Sequence, residues 1–296
     1  MKKTTTKDIY KILEKMGSSV NKDAVSAIPF TSEEDGAEYA VWKVTVENTD
    51  YVLKEAKGDE AKIYSAYLNI KSSAIPHLYA VTRYEGRDYL LMEYVSGRPL
   101  LRLDRSSLTH TLDALIDLQK RYWGAHESTD VAIDFEQSLA HRIERGKHLN
   151  DATLEEAYCR YLEQFQSLPR TLCHDDLLPF NVIEAEHRAV LIDWEVTGIL
   201  PYPTSLARLL AHGESSPDAF FYLTEEDRAF AIAYYYENLI REKGISYEEY
   251  LRSLDYCFLY EYCEWVMLGN KYGDTETDRF KRYLALAKVL AQKLIQ

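Results

Sequence analysis

The sequence predicts an α+β protein of two lobes: a small N-terminal lobe with an antiparallel sheet, then a larger, mainly helical C-terminal lobe. Three observations predict it. Between Val25 and Met92, apolar residues recur at every second position in short runs separated by turn residues. At Ser96-Gly97-Arg98-Pro99 this pattern stops on glycine and proline. From Leu100 onward, apolar residues take helical spacing. The boundary therefore divides the chain into residues 1–95 and 96–296.

The N-terminal part starts with Asp8 to Met16, where Ile9, Ile12, Leu13 and Met16 share a helical face that Gly17 ends. Val25 to Glu55 is strand-like. Ala40, Trp42, Val44 and Val46 point one way, Asn48-Thr49-Asp50 is a turn signal, and Tyr51-Val52-Leu53-Lys54 returns. This places Lys54 inside the sheet, where a lysine needs an anionic partner. Asp59 to Asn69 reads as a helix through Ile63, Tyr64, Tyr67 and Leu68. Ile75 to Thr82 and Tyr89 to Met92 read as two more strands, joined by a turn at Glu85-Gly86-Arg87-Asp88.

In the C-terminal part, helices are expected over Ser107 to Trp123, Phe135 to His148 and Thr153 to Gln166. Further helices are expected over Leu206 to Ala211, Thr224 to Lys243, Ser246 to Gly269 and Thr277 to Ile295. The run Tyr234-Tyr235-Tyr236 reads as packing. The stretch Asp255 to Trp265 is apolar almost all round, the mark of a buried helix. Glu261, Glu264 and Trp265 fall on neighbouring positions of it. An aromatic ring beside carboxylates receives an ammonium group well. The plainer reading has the two glutamates on a solvated face and the tryptophan in the core.

The chemistry concentrates between Thr171 and Gly198, TLCHDDLLPFNVIEAEHRAVLIDWEVTG. Val182-Ile183 and Val190 to Ile192 read as strands, with Glu184 to Ala189 as the turn between them. A hairpin brings Asn181 near Asp193, with Asp176 one loop turn away. Such an oxygen-rich cluster suits a hard cation such as Mg²⁺. Phosphoryl transfer needs these groups: metal to neutralise phosphate charge, and a carboxylate to accept the proton of the attacking hydroxyl. Asp176 fits the second role, and Asn181 and Asp193 the first. The plainer reading is a polar loop beside a hairpin, with His174 a core histidine.

His174-Asp175-Asp176-Leu177-Leu178-Pro179-Phe180-Asn181 resembles the catalytic loop of the aminoglycoside phosphotransferase and choline kinase superfamily, small-molecule relatives of protein kinases. Leu191-Ile192-Asp193-Trp194-Glu195 resembles its metal motif, closest to the choline kinase side. The resemblance implies a bilobal protein-kinase-like fold and transfer of the ATP γ-phosphate, with Mg²⁺, to a hydroxyl of a small molecule. It implies that Lys54 is the strand-three lysine, with Glu60 as its partner or Glu55 in its place. It also implies that the Glu93 carbonyl and Val95 amide bind adenine. The acceptor it favours is a cationic amino alcohol such as choline, with Glu195, Glu261, Glu264 and Trp265 around it.

Three features depart from the family. Leu178 stands where many members carry histidine, and Thr204-Ser205-Leu206-Ala207-Arg208 lacks the aspartate usual before Leu-Ala. The loop Thr31 to Gly36, expected to cover the phosphates, is acidic and lacks G-x-G-x-x-G. An antibiotic phosphotransferase is an alternative within enzymes. A catalytically silent nucleotide-binding scaffold is an alternative outside them, against which Lys54, Asp176, Asn181 and Asp193 are all present. Protein kinase activity is disfavoured, because no A-P-E follows and Asp193-Trp194-Glu195 replaces D-F-G.

Composition sets the remaining expectations. A formal net charge of −13 over 296 residues disfavours non-specific binding to nucleic acid or anionic membrane. Cys159, Cys173, Cys257 and Cys263 show no C-x-x-C spacing, so reduced thiols are expected rather than a zinc site or disulfide frame. Met1 to Gly17 is charged and lacks the apolar core of a signal peptide, and no apolar run is long enough to span a bilayer. A cytoplasmic location is therefore expected. Nothing in the sequence specifies an oligomeric state.

Overall fold

The computed structural model describes residues 5–17, 25–31, 36, 38–125, 135–216 and 218–296. The expected acidic phosphate-covering loop falls largely on 32–35 and 37, outside the described residues.

Helix α1 (Thr6–Lys15) is closed at its N-terminus by a capping box between Thr5 and Asp8. Its residues Ile9, Ile12 and Leu13 are buried against one face of a five-stranded antiparallel sheet, through Trp42, Val44, Leu53, Tyr89 and Leu91. The strands are β1 (Val25–Thr31), β2 (Glu38–Val46), β3 (Thr49–Glu55), β4 (Leu78–Tyr84) and β5 (Arg87–Glu93), in the order β1-β2-β3-β5-β4. Two hairpins turn at Glu47-Asn48 and Glu85-Gly86, where both residues of each pair have positive φ. Such turns match the twist of the strands they join.

Two sequence expectations shift in this lobe. Strand β4 starts at Leu78 rather than at Ile75. The segment before it is held instead by Leu191 N–H donating to Ala74 O at 2.8 Å and Glu93 N–H donating to His77 O at 2.8 Å. The helix expected over Asp59 to Asn69 is one α-turn, α2 (Glu60–Ile63), that widens into a π-turn at Tyr64–Leu68. Burial of Tyr64, Tyr67 and Leu68 in the core overrides the regular repeat.

A two-residue strand, β6 (Arg98–Pro99), then leads into the helical lobe. A Cβ on Gly97 would lie 2.4 Å from Glu184 O and 2.6 Å from Ile183 Cγ2, so only glycine lets this linker lie on the strand behind it. Helices α3 (Arg105–Arg121), α4 (Phe135–Gly146) and α5 (Ala152–Ser167) follow. Next comes the stretch that carries the candidate site, on β7 (Arg170–His174), β8 (Val182–Ala185), β9 (Arg188–Leu191) and β10 (Thr197–Pro201). The β8–β9 hairpin is tighter than expected: both strands extend toward the turn, leaving only residues 186 and 187 between them. Strand β6 pairs with β8, and β7 pairs with β10.

The chain closes with α6 (Thr204–Ala211), α7 (Glu225–Tyr235), α8 (Tyr247–Tyr272) and α9 (Asp278–Ile295). The helix expected over Thr224 to Lys243 ends its α-geometry at Tyr235 and continues as a π-turn and a 3₁₀ turn to Gly244, at φ 76°. Tyr235 is fully buried; its hydroxyl donates to Gln119 Oε1 at 2.5 Å and lies 3.0 Å from Tyr202 O, a packing role. One core cluster joins α2, β5, α3, the β8–β9 hairpin and α6, and a second joins α4, α5, α8 and α9. The architecture is the expected α+β one, with an antiparallel N-terminal sheet and a helical C-terminal region. No described helix is long and apolar enough to cross a membrane.

Candidate active site

Strand alternation aims Lys54 and Leu53 at opposite faces of the sheet. Leu53 joins the α1 core, while Lys54 turns toward α2 and the C-terminal lobe. Lys54 is 8% exposed, and its Nζ lies 2.6 Å from Glu60 Oε1 and 2.5 Å from Asp193 Oδ1. Glu60 is therefore its glutamate partner. Glu55, the next residue in the strand, faces the other way and takes Arg87 Nη1 at 2.9 Å and the Tyr89 hydroxyl at 3.2 Å.

Burial pushes the Glu60 carboxyl up, and the Lys54 ammonium pulls it only part of the way back. Burial also works against ionised Asp193, but the Lys54 charge outweighs it and holds that carboxyl below the usual range. Asp193 itself has φ 63°, the left-handed region that costs a non-glycine residue energy and that clusters at functional sites.

Asp176, Asn181 and Asp193 are tied together through main chain. Ile192 N–H donates to Asn181 O at 2.9 Å, which sets Asn181 beside the residue preceding Asp193. The Asn181 amide donates to Asp176 O at 2.8 Å, and its Oδ1 has no hydrogen-bond partner among the described residues. His174 is fully buried beneath this loop. Its Nδ1 accepts from Asp176 N–H at 3.3 Å and its Nε2 donates to Ile192 O at 2.9 Å, so the ring braces both segments as one neutral tautomer. Burial depresses its pKa and keeps it neutral. Where the family usually has aspartate, Ser205 Oγ accepts from His174 N–H at 3.0 Å.

Arginines surround the two consecutive aspartates. Arg142, on α4, grips Asp175 with Nη2 at 2.6 and 2.9 Å. Arg208, on α6, places Nε at 3.1 Å and Nη2 at 2.7 Å from Asp176 Oδ1. Its Nη1 reaches Glu261 Oε2 and Glu264 Oε2, both at 2.8 Å. Sequence reasoning did not single out Arg208, although a lone charge in the apolar segment Ser205-Leu206-Ala207-Arg208-Leu209-Leu210 was a legible sign of buried partners.

The acceptor residues suggested by the sequence are placed as follows. Glu261 is buried and meets Arg208 and His212 Nε2, the latter at 3.3 Å. Burial raises its carboxyl, but the charge of Arg208 and then His212 overcompensate, so it titrates below the ordinary glutamate range. Glu264 also pairs with Arg145. Trp265 stacks on Tyr283 with centroids 5.7 Å apart, and the Arg279 guanidinium lies over its ring at 4.6 Å. The two glutamates thus meet the Asp176 side of the site through Arg208. Glu195 lies on the other side, with Oε2 3.1 Å from Lys57 Nζ.

At the hinge, the Glu93 side chain accepts from Arg188 Nη2 at 2.6 Å, and buried Val95 follows just beyond the end of β5. Cross-strand register puts Val52, Lys43, Val41 and Ile28 on the Lys54 face of the sheet. Of these, Ile28 is an exposed apolar side chain. Period-two reading of β1 could have separated Ile28 from buried-side Ala27, but the sequence alone does not tell which face meets the second lobe.

The family profile of the phosphotransferase enzyme family matches residues 31–238. No curated protein sequence matches the chain at a significant level. Among solved structures, choline kinase from Cryptosporidium parvum Iowa II is similar with a TM-score of 0.63 at 14% identity, covering 98% of this chain and 97% of that one. Aminoglycoside phosphotransferase from Alicyclobacillus acidocaldarius subsp. acidocaldarius DSM 446 gives 0.58 at 14% identity, with 92% and 91% covered. An amicoumacin kinase in complex with AMP-PNP and Ca²⁺ gives 0.56 at 12% identity, with 97% and 92% covered. At these identities the likeness establishes the fold, and the family match carries the class. The chain belongs to the phosphotransferase enzyme family and is a kinase-like small-molecule phosphotransferase.

Proposed function

We propose that the chain transfers the γ-phosphate of ATP, with Mg²⁺, to the hydroxyl of a cationic amino alcohol such as choline. Residues 1–95 act as the nucleotide lobe, and 96–296 carry the catalytic loop, metal site and acceptor pocket. The observation that carries the reading is the bonding of Asp176, Asn181 and the Asp193 segment into one rigid unit facing Lys54.

Within that unit, Asp176 Oδ1 is taken by Arg208, and Oδ2 has no partner among the described residues. Oδ2 accepts the proton of the acceptor hydroxyl. The acceptor oxygen forms its bond to the γ-phosphorus as the bond from that phosphorus to the β–γ bridging oxygen breaks, and ADP leaves with the electron pair. Lys54 orients the phosphates. Asn181 Oδ1 and the Asp193 carboxylate are the oxygen donors that would hold Mg²⁺, which neutralises phosphate charge when bound. Among the described residues no cluster of three or more acidic, His or Cys side chains could hold a metal alone. That suits a cation that completes its shell with phosphate oxygens and water. Ile28, Val41 and Val52 supply an apolar roof for adenine, next to the Glu93 carbonyl and Val95 amide.

Charge at one atom supports the cationic acceptor. The linked carboxylates Asp176, Glu261 and Glu264 are partnered by Arg208, Arg145 and His212. Asp176 Oδ2 is the carboxylate oxygen left toward the acceptor, and it suits an ammonium head better than an anionic one. Choline kinase among the similar folds points the same way.

An ATP-consumption screen over amino alcohols, neutral sugars and aminoglycosides tests the reading, with Asp176→Ala alongside. Cationic amino alcohols should turn over, and Asp176→Ala should lower kcat by about 10²–10⁴-fold. Turnover of neutral sugars alone would remove the acceptor assignment. Turnover of aminoglycosides alone would favour the antibiotic enzyme. Undiminished turnover in Asp176→Ala would remove the base.

A further inference from the structure

We infer that Arg208 is a positioning residue for phosphoryl transfer: it fixes the Asp176 carboxylate so that one oxygen, Oδ2, is presented to the acceptor. The inference rests on the reading of Asp176 as the base, and it adds a residue to which neither the spacing of the catalytic loop nor the family match assigns a role.

The geometry carries it. Both donors that Arg208 directs at Asp176, Nε at 3.1 Å and Nη2 at 2.7 Å, converge on the same oxygen. A planar guanidinium with two N–H groups on one atom limits rotation of the carboxylate more than a single ammonium contact would. The remaining arm, Nη1, is itself held by Glu261 and Glu264 at 2.8 Å each. Glu261 is buried on α8 and Glu264 is in turn engaged by Arg145 of α4. The orientation of Asp176 is thus referred through one side chain to two helices of the large lobe. The loop supplies no equivalent brace: the contacts from Asn181 and His174 reach Asp176 at its main chain. Ser205, one turn before Arg208 on the same face of α6, accepts from His174 N–H, so this helix holds the loop by main chain at one position and by carboxylate at the other.

A positioned base must lie within hydrogen-bond reach of the proton it takes, and small misplacements are costly. Freed from Arg208, Asp176 would keep its main-chain position and lose its side-chain orientation. The effect should therefore fall on turnover and leave ATP binding alone.

The experiment compares Arg208→Met, Arg208→Lys and Asp176→Asn, and each Arg208 variant combined with Asp176→Asn. Readouts are AMP-PNP affinity by calorimetry, steady-state kinetics with ATP and choline, and crystal structures of the Arg208 variants. Arg208→Lys keeps the charge near Glu261 and so serves if Arg208→Met does not fold. Both should lower kcat by about 10–10²-fold with AMP-PNP affinity within about twofold. Their Asp176 carboxylates should be rotated or divided between rotamers. In the Asp176→Asn background, further loss of Arg208 should change turnover by less than about twofold, because the two act as one unit. An unmoved Asp176 carboxylate in the crystals overturns the inference whatever the acceptor proves to be. So does wild-type kcat in both Arg208 variants, or losses that multiply with Asp176→Asn. Wild-type turnover in Asp176→Asn alone instead defeats the underlying assignment of the base.

Discussion

Replacing Arg142 by methionine should destabilise the fold by about 3–5 kcal/mol, the cost of removing one partner from a buried ion pair. The Arg142 side chain is 3% exposed, and its Nη2 binds both oxygens of Asp175, a carboxylate that is 13% exposed. Its Nε donates to the Tyr161 hydroxyl at 2.8 Å, and the rings of Phe165 and Tyr260 lie on it at 4.5 Å each. Methionine would keep much of the contact with those rings, since its thioether packs well on aromatics. What it cannot replace is the positive charge, and the largely buried Asp175 carboxylate would lose its Arg142 partner. Set against a typical total of about 5–15 kcal/mol, the loss is a large fraction of the stability. At about 2 °C per kcal/mol for a chain of this size, Tm should fall by about 6–10 °C. Urea denaturation gives the free energy directly, and the double variant Arg142→Met/Asp175→Asn provides the control. With no stranded charge, it should recover most of the loss. A single variant within about 1 kcal/mol of wild type, or a double variant no better than the single, would refute the reasoning.

Two further outcomes follow from the same geometry. Asp193→Ala should abolish the Mg²⁺ dependence of ATP binding and most activity; calorimetry with and without Mg²⁺ checks this, and equal Mg²⁺ dependence in wild type and variant would contradict it. Glu261 titrates below the ordinary glutamate range because Arg208 and His212 more than offset its burial. Its ionised form is therefore favoured in the folded chain, so its contribution is full above the ordinary glutamate value and is lost as pH falls through the lowered folded value. The stability gap between wild type and Glu261→Gln, measured by urea denaturation from about pH 7 to about pH 3, should shrink on acidification. A gap independent of pH would remove the assignment.

Much of the candidate site is legible in the sequence because it is local. Asp176, Asn181 and Asp193 lie on one loop and one hairpin, so their spacing alone brings them together. Lys54 is identifiable as a charge in an apolar strand, but the choice between Glu60 and Glu55 is made only by the tertiary contacts, in which Glu55 faces Arg87 and Tyr89 and Glu60 meets Lys54. The hinge is announced by Gly97, whose Cβ would collide with β8. What the sequence could not decide depends on contacts between distant segments. Strands β7 and β10 are five residues each and pair across the whole catalytic stretch, too short and too far apart to show a period. The choice of which face of the N-terminal sheet meets the second lobe is likewise made by packing. Arg208 shows the limit most clearly. A charge in a buried helix demands partners, but Asp176 lies 32 residues before it and Glu261 lies 53 after. Only the packing of α6 between the catalytic loop and α8 determines which carboxylates it finds, because burial removes water as the alternative partner.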